Sequence, residues 1–214
     1  MSKIAEVKAA VENGKVKIVA GLVQEALDSG ADAKQILNEG MIDAMAVVGA
    51  KFQKNEIFVP EMLIAARAMK KGIEVLQPAL KAAGSEPVAK LIIGTVAGDL
   101  HDIGKNLVAM MIEGAGFEVT DLGVDVPKEK FVEELKAQPD VKVVALSALL
   151  TTTMPALKEA AEAILAYKKE SGRDLKIIVG GAPITQAFAD EVGADGYSED
   201  AASAAELAKK VIGL

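Results

Sequence analysis

The 214-residue chain is 51% hydrophobic and 26% charged, which excludes a largely disordered protein and supplies enough apolar side chains for a sizeable core. With no cysteine and one histidine, it cannot form disulfides, thiol nucleophiles, cysteine-held zinc or iron–sulfur centres, or any site that needs two imidazoles. A net charge of −7 without a dense Lys/Arg stripe argues against nucleic acid and anionic membranes as partners. The longest uncharged stretch, Val143 to Leu157, is too short for a spanning helix, and the opening MSKIAEVKAAVENGK lacks the apolar centre of a signal peptide. The expectation is a soluble cytoplasmic protein.

In chain order, residues 1 to about 83 carry helical periodicity. Ile4, Val7 and Val11 mark a first helix, and Val19, Leu22, Val23, Ala26 and Leu27 a second. Asn13-Gly14 and Ser29-Gly30 punctuate their ends. Leu37, Met41, Ala44, Met45, Val48 and Phe52 predict a third stripe. Met62, Ala66, Met69, Ile73, Leu76 and Leu80 step by fours and threes, as the seam of a bundle does. Four helices with short connections favour an antiparallel bundle. The stretch Ala83-Gly-Ser-Glu-Pro87 then reads as a linker, dividing a helical domain (1–84) from a second domain (85–214).

Beyond it, short apolar runs at Val88–Gly94, Phe117–Leu122, Val141–Leu146, Leu175–Val179 and, weakly, Ala194–Tyr197 alternate with helical segments near 103–115, 128–137, 154–170, 184–192 and 199–212. Strict alternation implies right-handed βαβ units and a parallel sheet covered on both faces. The fold class is therefore α/β: a four-helix bundle followed by a flavodoxin-like, Rossmann-like five-stranded sheet. Ligands of such sheets lie beyond the carboxyl ends of the strands.

Three loops there are unusual: Gly98-Asp99-Leu100-His101-Asp102-Ile103-Gly104, then Ser147 to Thr153, then Gly180-Gly181-Ala182-Pro183. A histidine beside carboxylates can be a base, a metal ligand or a satisfied polar residue. The first loop is not a P-loop: its glycine spacing is wrong, Asn106 replaces Ser/Thr, and Asp99 and Asp102 would repel phosphate. Ser147 lacks a GxSxG setting, and a serine at a strand end is commonly a turn residue. Gly180-Gly181 permits either a tight turn or a ligand lying against bare backbone. Together the loops offer one imidazole, a carboxylate, hydroxyls and little bulk. That suits one axial metal bond and a long ligand arm better than an all-protein metal cage.

Asp99-x-His101-x-x-Gly104, Ser147-x-Leu149 and Gly180-Gly181 resemble the cobalamin-binding signature DxHxxG…SxL…GG, with 42 residues between Gly104 and Ser147 and 30 between Leu149 and Gly180. Asn55 to Leu63, Ala65 to Met69 and Gly123-Val-Asp-Val-Pro127 are similar to the helical cap and cobalamin segment of corrinoid methyltransferase proteins. The resemblance spans essentially the whole chain. It is to the small corrinoid proteins that serve methylamines, methanol, betaines or methoxylated aromatics, and to the cap-plus-cobalamin segment of methionine synthase.

The resemblance implies a cobalamin or related cobamide with His101 as lower axial ligand to cobalt. Asp99 would bond the other imidazole nitrogen and Ser147 would extend that relay. Asp102, Ile103, Gly104, Leu149, Thr151, Gly180 and Gly181 would line the slot for the displaced nucleotide tail. Phe58 matches the cap position that shields the upper corrin face. Met62 and Val59 are weaker cap candidates, since the helical phase of both also suits the bundle core.

The implied role is a non-catalytic methyl shuttle, a subunit of an O- or N-demethylase type system. It would accept a methyl group on Co(I) from a substrate-specific methyltransferase and pass it from methyl-Co(III) to a second methyltransferase with a tetrahydrofolate or thiol acceptor. A corrinoid reactivation protein would be a further partner. The chain is too short to add a TIM barrel of about 250 residues. Three other readings stand beside it. A corrinoid sensor or regulator would usually add a DNA-binding domain, and no basic recognition helix is visible. An adenosylcobalamin mutase subunit shares the motif, but Phe58-Val-Pro60 favours methyl transfer. A corrin-free flavodoxin-like domain would need three chance loop matches.

Overall fold

The computed structural model describes residues 2–84 and 86–214; Met1, Ser85 of the expected linker and the side chain of Lys81 lie outside the described residues. The chain divides into two compact units. The first ends at Pro87 and takes in Gly114–Gly116, and the second is made of Val88–Glu113 and Phe117–Leu214.

The first unit is helical: α1 (Lys3–Glu12), α2 (Val16–Asp28), α3 (Ala33–Gln35), a π-helical stretch (Ile36–Ile42), α4 (Asp43–Gln53) and α5 (Val59–Ala82). Ser2 and Asp32 cap α1 and α3 by accepting from the Ala5 and Gln35 N–H groups. Gly14 and Gly30 take the left-handed conformation that ends the first two helices. At the start of α5 the Glu61 carboxylate accepts the Phe58 N–H at 3.1 Å, one half of a capping box.

Val7, Val11, Val19, Val23, Met41, Met45, Val48, Met69 and Leu76 are buried, following the predicted stripes. Ile4, Leu22, Leu27, Leu37 and Phe52 of those stripes are only half-buried. The wider π turn shifts the helical phase, so that Ile36 is buried and Leu37 only half-buried. Gly40 in that turn lets α1 approach closely, since a Cβ would lie 3.3 Å from Val7 Cγ1. Ile73 and Leu80, expected in the α5 seam, are half-buried.

The second unit alternates strand and helix: β1 (Lys90–Thr95), α6 (Ile103–Gly114), β2 (Glu118–Asp121), α7 (Lys128–Ala137), β3 (Val141–Ser147), α8 (Met154–Ser171), β4 (Lys176–Gly180), α9 (Gln186–Glu191), β5 (Gly196–Tyr197) and α10 (Ala201–Val211). All pairings are parallel, in the order β2-β1-β3-β4-β5. Because helices cover both faces, the strands are apolar without alternation: Leu91, Ile92, Ile93, Val143, Val144, Ile177, Ile178 and Val179 are all buried. Gly94 makes room for the ring of Phe131 on α7, which would lie 2.8 Å from a Cβ there.

Two features position the site. The chain leaves β1 toward β2 on one side, and β3 lies on the other, which opens a crevice at the β1/β3 strand ends. Register then aligns Thr95 with Ser147 and Ser147 with Gly180, so three loops leave the sheet side by side. No helix among the described residues is long and apolar enough to cross a membrane.

Candidate functional site

The loop after β1 is folded by its own polar groups. Thr95 is buried and its hydroxyl donates to the His101 carbonyl at 2.9 Å. Gly98 supplies a left-handed turn (φ 79), and the Asp99 N–H returns to the Val96 carbonyl. This turn drives the Asp99 side chain inward until it is 0% exposed.

A carboxylate is buried at such a position only if its lone pairs are taken up. Oδ1 of Asp99 accepts from the His101 N–H at 3.1 Å and lies 2.7 Å from His101 Nδ1. Oδ2 accepts from the Leu149 N–H at 2.7 Å and the Thr153 hydroxyl at 2.8 Å. Burial alone would raise this carboxyl's pKa. The bonds from Leu149, from the His101 ring and N–H, and from Thr153 overcome it and hold the group well below the usual carboxylate range.

The tautomer of His101 follows. An ionised carboxylate only accepts, so Nδ1 carries the proton and the lone pair resides on Nε2. The imidazole side chain is 50% exposed. Leu100 and Ile103 beside it are 72% and 78% exposed, and Leu149 and Leu150 are also exposed. At Gly104 a Cβ would find nothing within 4 Å. The site therefore presents one basic nitrogen, an apolar border and open space. No cluster of three metal-binding side chains occurs among the described residues. The donor set fits a metal that brings most of its ligands on its own ring.

The structure brings Asp99, His101, Gly104, Ser147, Leu149, Thr151, Gly180 and Gly181 to one end of the sheet, with two corrections. The hydroxyl that bonds Asp99 belongs to Thr153, not Ser147. Ser147 is still in strand register between Thr95 and Gly180, whereas the 3₁₀ turn Thr151–Thr153 buries Thr153 against the carboxylate. Gly181 is bare for the chain's own sake: a Cβ would lie 1.8 Å from the Ala148 carbonyl oxygen, at φ 129.

Asp102 starts α6, its carbonyl accepting the Asn106 N–H at 2.7 Å and its carboxylate the Asn106 amide at 3.1 Å. In the first unit Phe58 is 64% exposed; of the two residues with bundle-core phase Met62 is buried, whereas Val59, the first residue of α5, is exposed. Sequence reasoning missed Thr153, the buried Lys105 that pairs with Asp121, and Asp125, whose carboxylate accepts the Gly98 N–H. The run of three threonines and the Gly123-Val-Asp-Val-Pro127 string were the available signals.

Two models of a B12 binding domain match, over residues 89–206 and 4–77. A corrinoid protein of Desulfitobacterium hafniense (strain Y51) is 41% identical over 218 residues, covering 100% of this chain and 99% of that one. A trimethylamine corrinoid protein of Methanosarcina acetivorans is 42% identical over 214 residues, covering 98% and 96%. Among solved structures, a chain of the methanol:cobalamin methyltransferase complex from Methanosarcina barkeri superposes with a TM-score of 0.85 at 29% identity, covering 99% of this chain and 80% of that one. With B12 binding domain matches in both halves and full-length relatives above 40% identity, the chain belongs to the cobamide-binding corrinoid proteins of methyltransferase systems.

Proposed function

We propose that this protein is a cytoplasmic methyl carrier in which His101 Nε2 ligates the cobalt of a cobamide, working between a substrate-specific methyltransferase and a second methyltransferase. The observation that carries the reading is the buried, ionised Asp99, which accepts the Nδ1–H of a half-exposed imidazole and leaves the Nε2 lone pair free to bind a metal. Relatives named for trimethylamine and dimethylamine, and a neighbour solved within a methyltransferase complex, support the partner classes. A bound cobamide supplies a cobalt that takes up and releases a methyl group. The chain's own part is to hold the donor nitrogen. Asp99 orients the ring and fixes its tautomer, and Leu149 and Thr153 keep Asp99 ionised. Leu100, Ile103 and Leu149, exposed here, would cover the ring of a bound cobamide, and Ser147, Thr151 and Gly180 would line the slot for its tail.

Transfer of an isotope-labelled methyl group tests this. The reduced, cobamide-loaded protein is supplied with trimethylamine, dimethylamine, monomethylamine or methanol, the matching methyltransferase and a thiol acceptor with its transferase. Label is expected in the acceptor for one donor and not without this protein. No transfer from any donor, with loaded protein present, contradicts the carrier role.

The open space at Gly104 gives a second expectation. The Cβ of Gly104→Leu would find no neighbouring heavy atom within 4 Å, and the change replaces glycine within a helix, so stability should hold or rise by up to about 1 kcal/mol. Cobamide retention should fall about 5- to 150-fold, the effect of about 1–3 kcal/mol of overpacking. Equilibrium dialysis and thermal melting separate the two. Unchanged retention would remove Gly104 from the ligand slot.

A further inference from the structure

The connection between β2 and α7 is tied to the end of β1 along its length. Leu122 N–H donates to the Ile93 carbonyl (2.8 Å), Thr95 N–H to Gly123 (3.0 Å), Asp125 N–H to Asp99 (2.9 Å) and Val126 N–H to Thr95 (3.0 Å). Its near end is fixed by Asp121, whose Oδ1 accepts the Gly123 N–H at 2.9 Å and whose Oδ2 pairs with buried Lys105 on α6. The far end depends on Asp125. With φ 53 it is one of two non-glycine residues at positive φ among the described residues. Aspartate and asparagine tolerate this conformation because a short polar side chain can bond the local backbone. Here Oδ1 of Asp125 accepts the Gly98 N–H at 2.7 Å. Asp125 thus grips the Gly98-Asp99 dipeptide twice, at the N–H of one residue and the carbonyl of the next. Asp99 in turn holds His101.

We infer that Asp125 is a positioning residue: its grip on Gly98 and Asp99 fixes the direction of the His101 imidazole and so how firmly the cobalt is ligated. The inference rests on the proposed cofactor role of His101. A residue that served stability alone would shift the melting temperature and leave the ligation state of bound cobamide unchanged.

The test loads hydroxocobalamin onto wild type, Asp125→Gly and Asp125→Asn. Glycine keeps the backbone conformation without the acceptor. Asparagine keeps both, since its amide oxygen accepts the same N–H. Circular dichroism confirms folding; glycine carries no Cβ penalty at φ 53, so Asp125→Gly loses the acceptor alone. Asp125→Gly is expected to retain cobamide about tenfold more weakly and to lose much of the histidine-ligated absorption signature. Asp125→Asn is expected to match wild type. Wild-type behaviour of the glycine variant, or equal impairment of both variants, overturns the inference. Amide exchange at Gly98 and His101 in unloaded protein should be faster in Asp125→Gly than in Asp125→Asn, and equal rates also overturn it. If wild type itself shows no histidine-ligated cobamide, the cofactor reading fails, while the exchange rates still report on the grip.

Discussion

Gly181→Ala should destabilise the second unit by on the order of 2–6 kcal/mol, a large share of the roughly 5–15 kcal/mol typical of whole domains. The new Cβ would lie 1.8 Å from the Ala148 carbonyl oxygen and 2.8 Å from its carbon. Both are backbone atoms, so no rotamer change relieves the overlap. The position also has φ 129, where only glycine is unstrained. Ala148 is held in turn, its N–H donating to the Gly180 carbonyl. Displacing it moves the next peptide, and the Leu149 N–H is one of the donors that keep Asp99 ionised. The damage should therefore reach the imidazole from a residue that does not touch it. Urea titration followed by circular dichroism measures the loss, and a midpoint equal to that of wild type would contradict the steric account.

Asp99→Ala should be the most harmful change in the β1 loop. It removes the acceptor for four hydrogen bonds at once. The part-buried Leu149 N–H loses its acceptor, at about 1–3 kcal/mol, while the buried Thr153 hydroxyl falls back on the Leu150 carbonyl at 3.0 Å. Asp99→Asn does not restore the site. An amide offers one accepting oxygen and one donating nitrogen, whereas both oxygens of Asp99 are approached by donors.

The pH dependence carries a sign. Asp99 has its pKa lowered in the folded state, so the unfolded chain binds this proton more readily. Its contribution to stability is complete above the unfolded value of about 3.9 and fades as pH falls from there toward the depressed folded value. The urea midpoint of wild type should therefore drop between pH 5 and about 3 by more than that of Asp99→Asn. Parallel losses in the two proteins would show that Asp99 is not the titrating group.

The sequence carried the sheet well because buried parallel strands are written as short apolar runs between helical segments. Expected β3 (Val141–Leu146) and observed β3 (Val141–Ser147) differ by one residue. At β1 the expectation began at Val88, an apolar residue that is exposed and precedes the ladder. The third helix of the first unit was found with the phase of Met41, Ala44, Met45 and Val48, but Ile36 rather than Leu37 is buried at its start, since a π turn leaves no mark in residue spacing. In the site, the pairing of Asp99 with His101 was implied by the resemblance of the Asp99-x-His101-x-x-Gly104 string, since spacing alone left the histidine's role open. Thr153 was not, because three consecutive threonines look alike until a 3₁₀ turn buries one of them. The burden on Gly181 was hidden for a related reason, as the Ala148 carbonyl lies in a different loop and only the β3–β4 register brings it there.

The most direct measurement is an absorption spectrum after anaerobic reconstitution with hydroxocobalamin and desalting, for wild type and His101→Ala side by side. Wild type should retain one cobamide per chain, with its dimethylbenzimidazole displaced and a histidine nitrogen on cobalt. His101→Ala should retain much less, and what it keeps should lack the histidine-ligated spectrum. Equal retention with identical spectra, or a folded wild type that emerges from desalting without corrin, would contradict His101 as the ligand at the centre of this site.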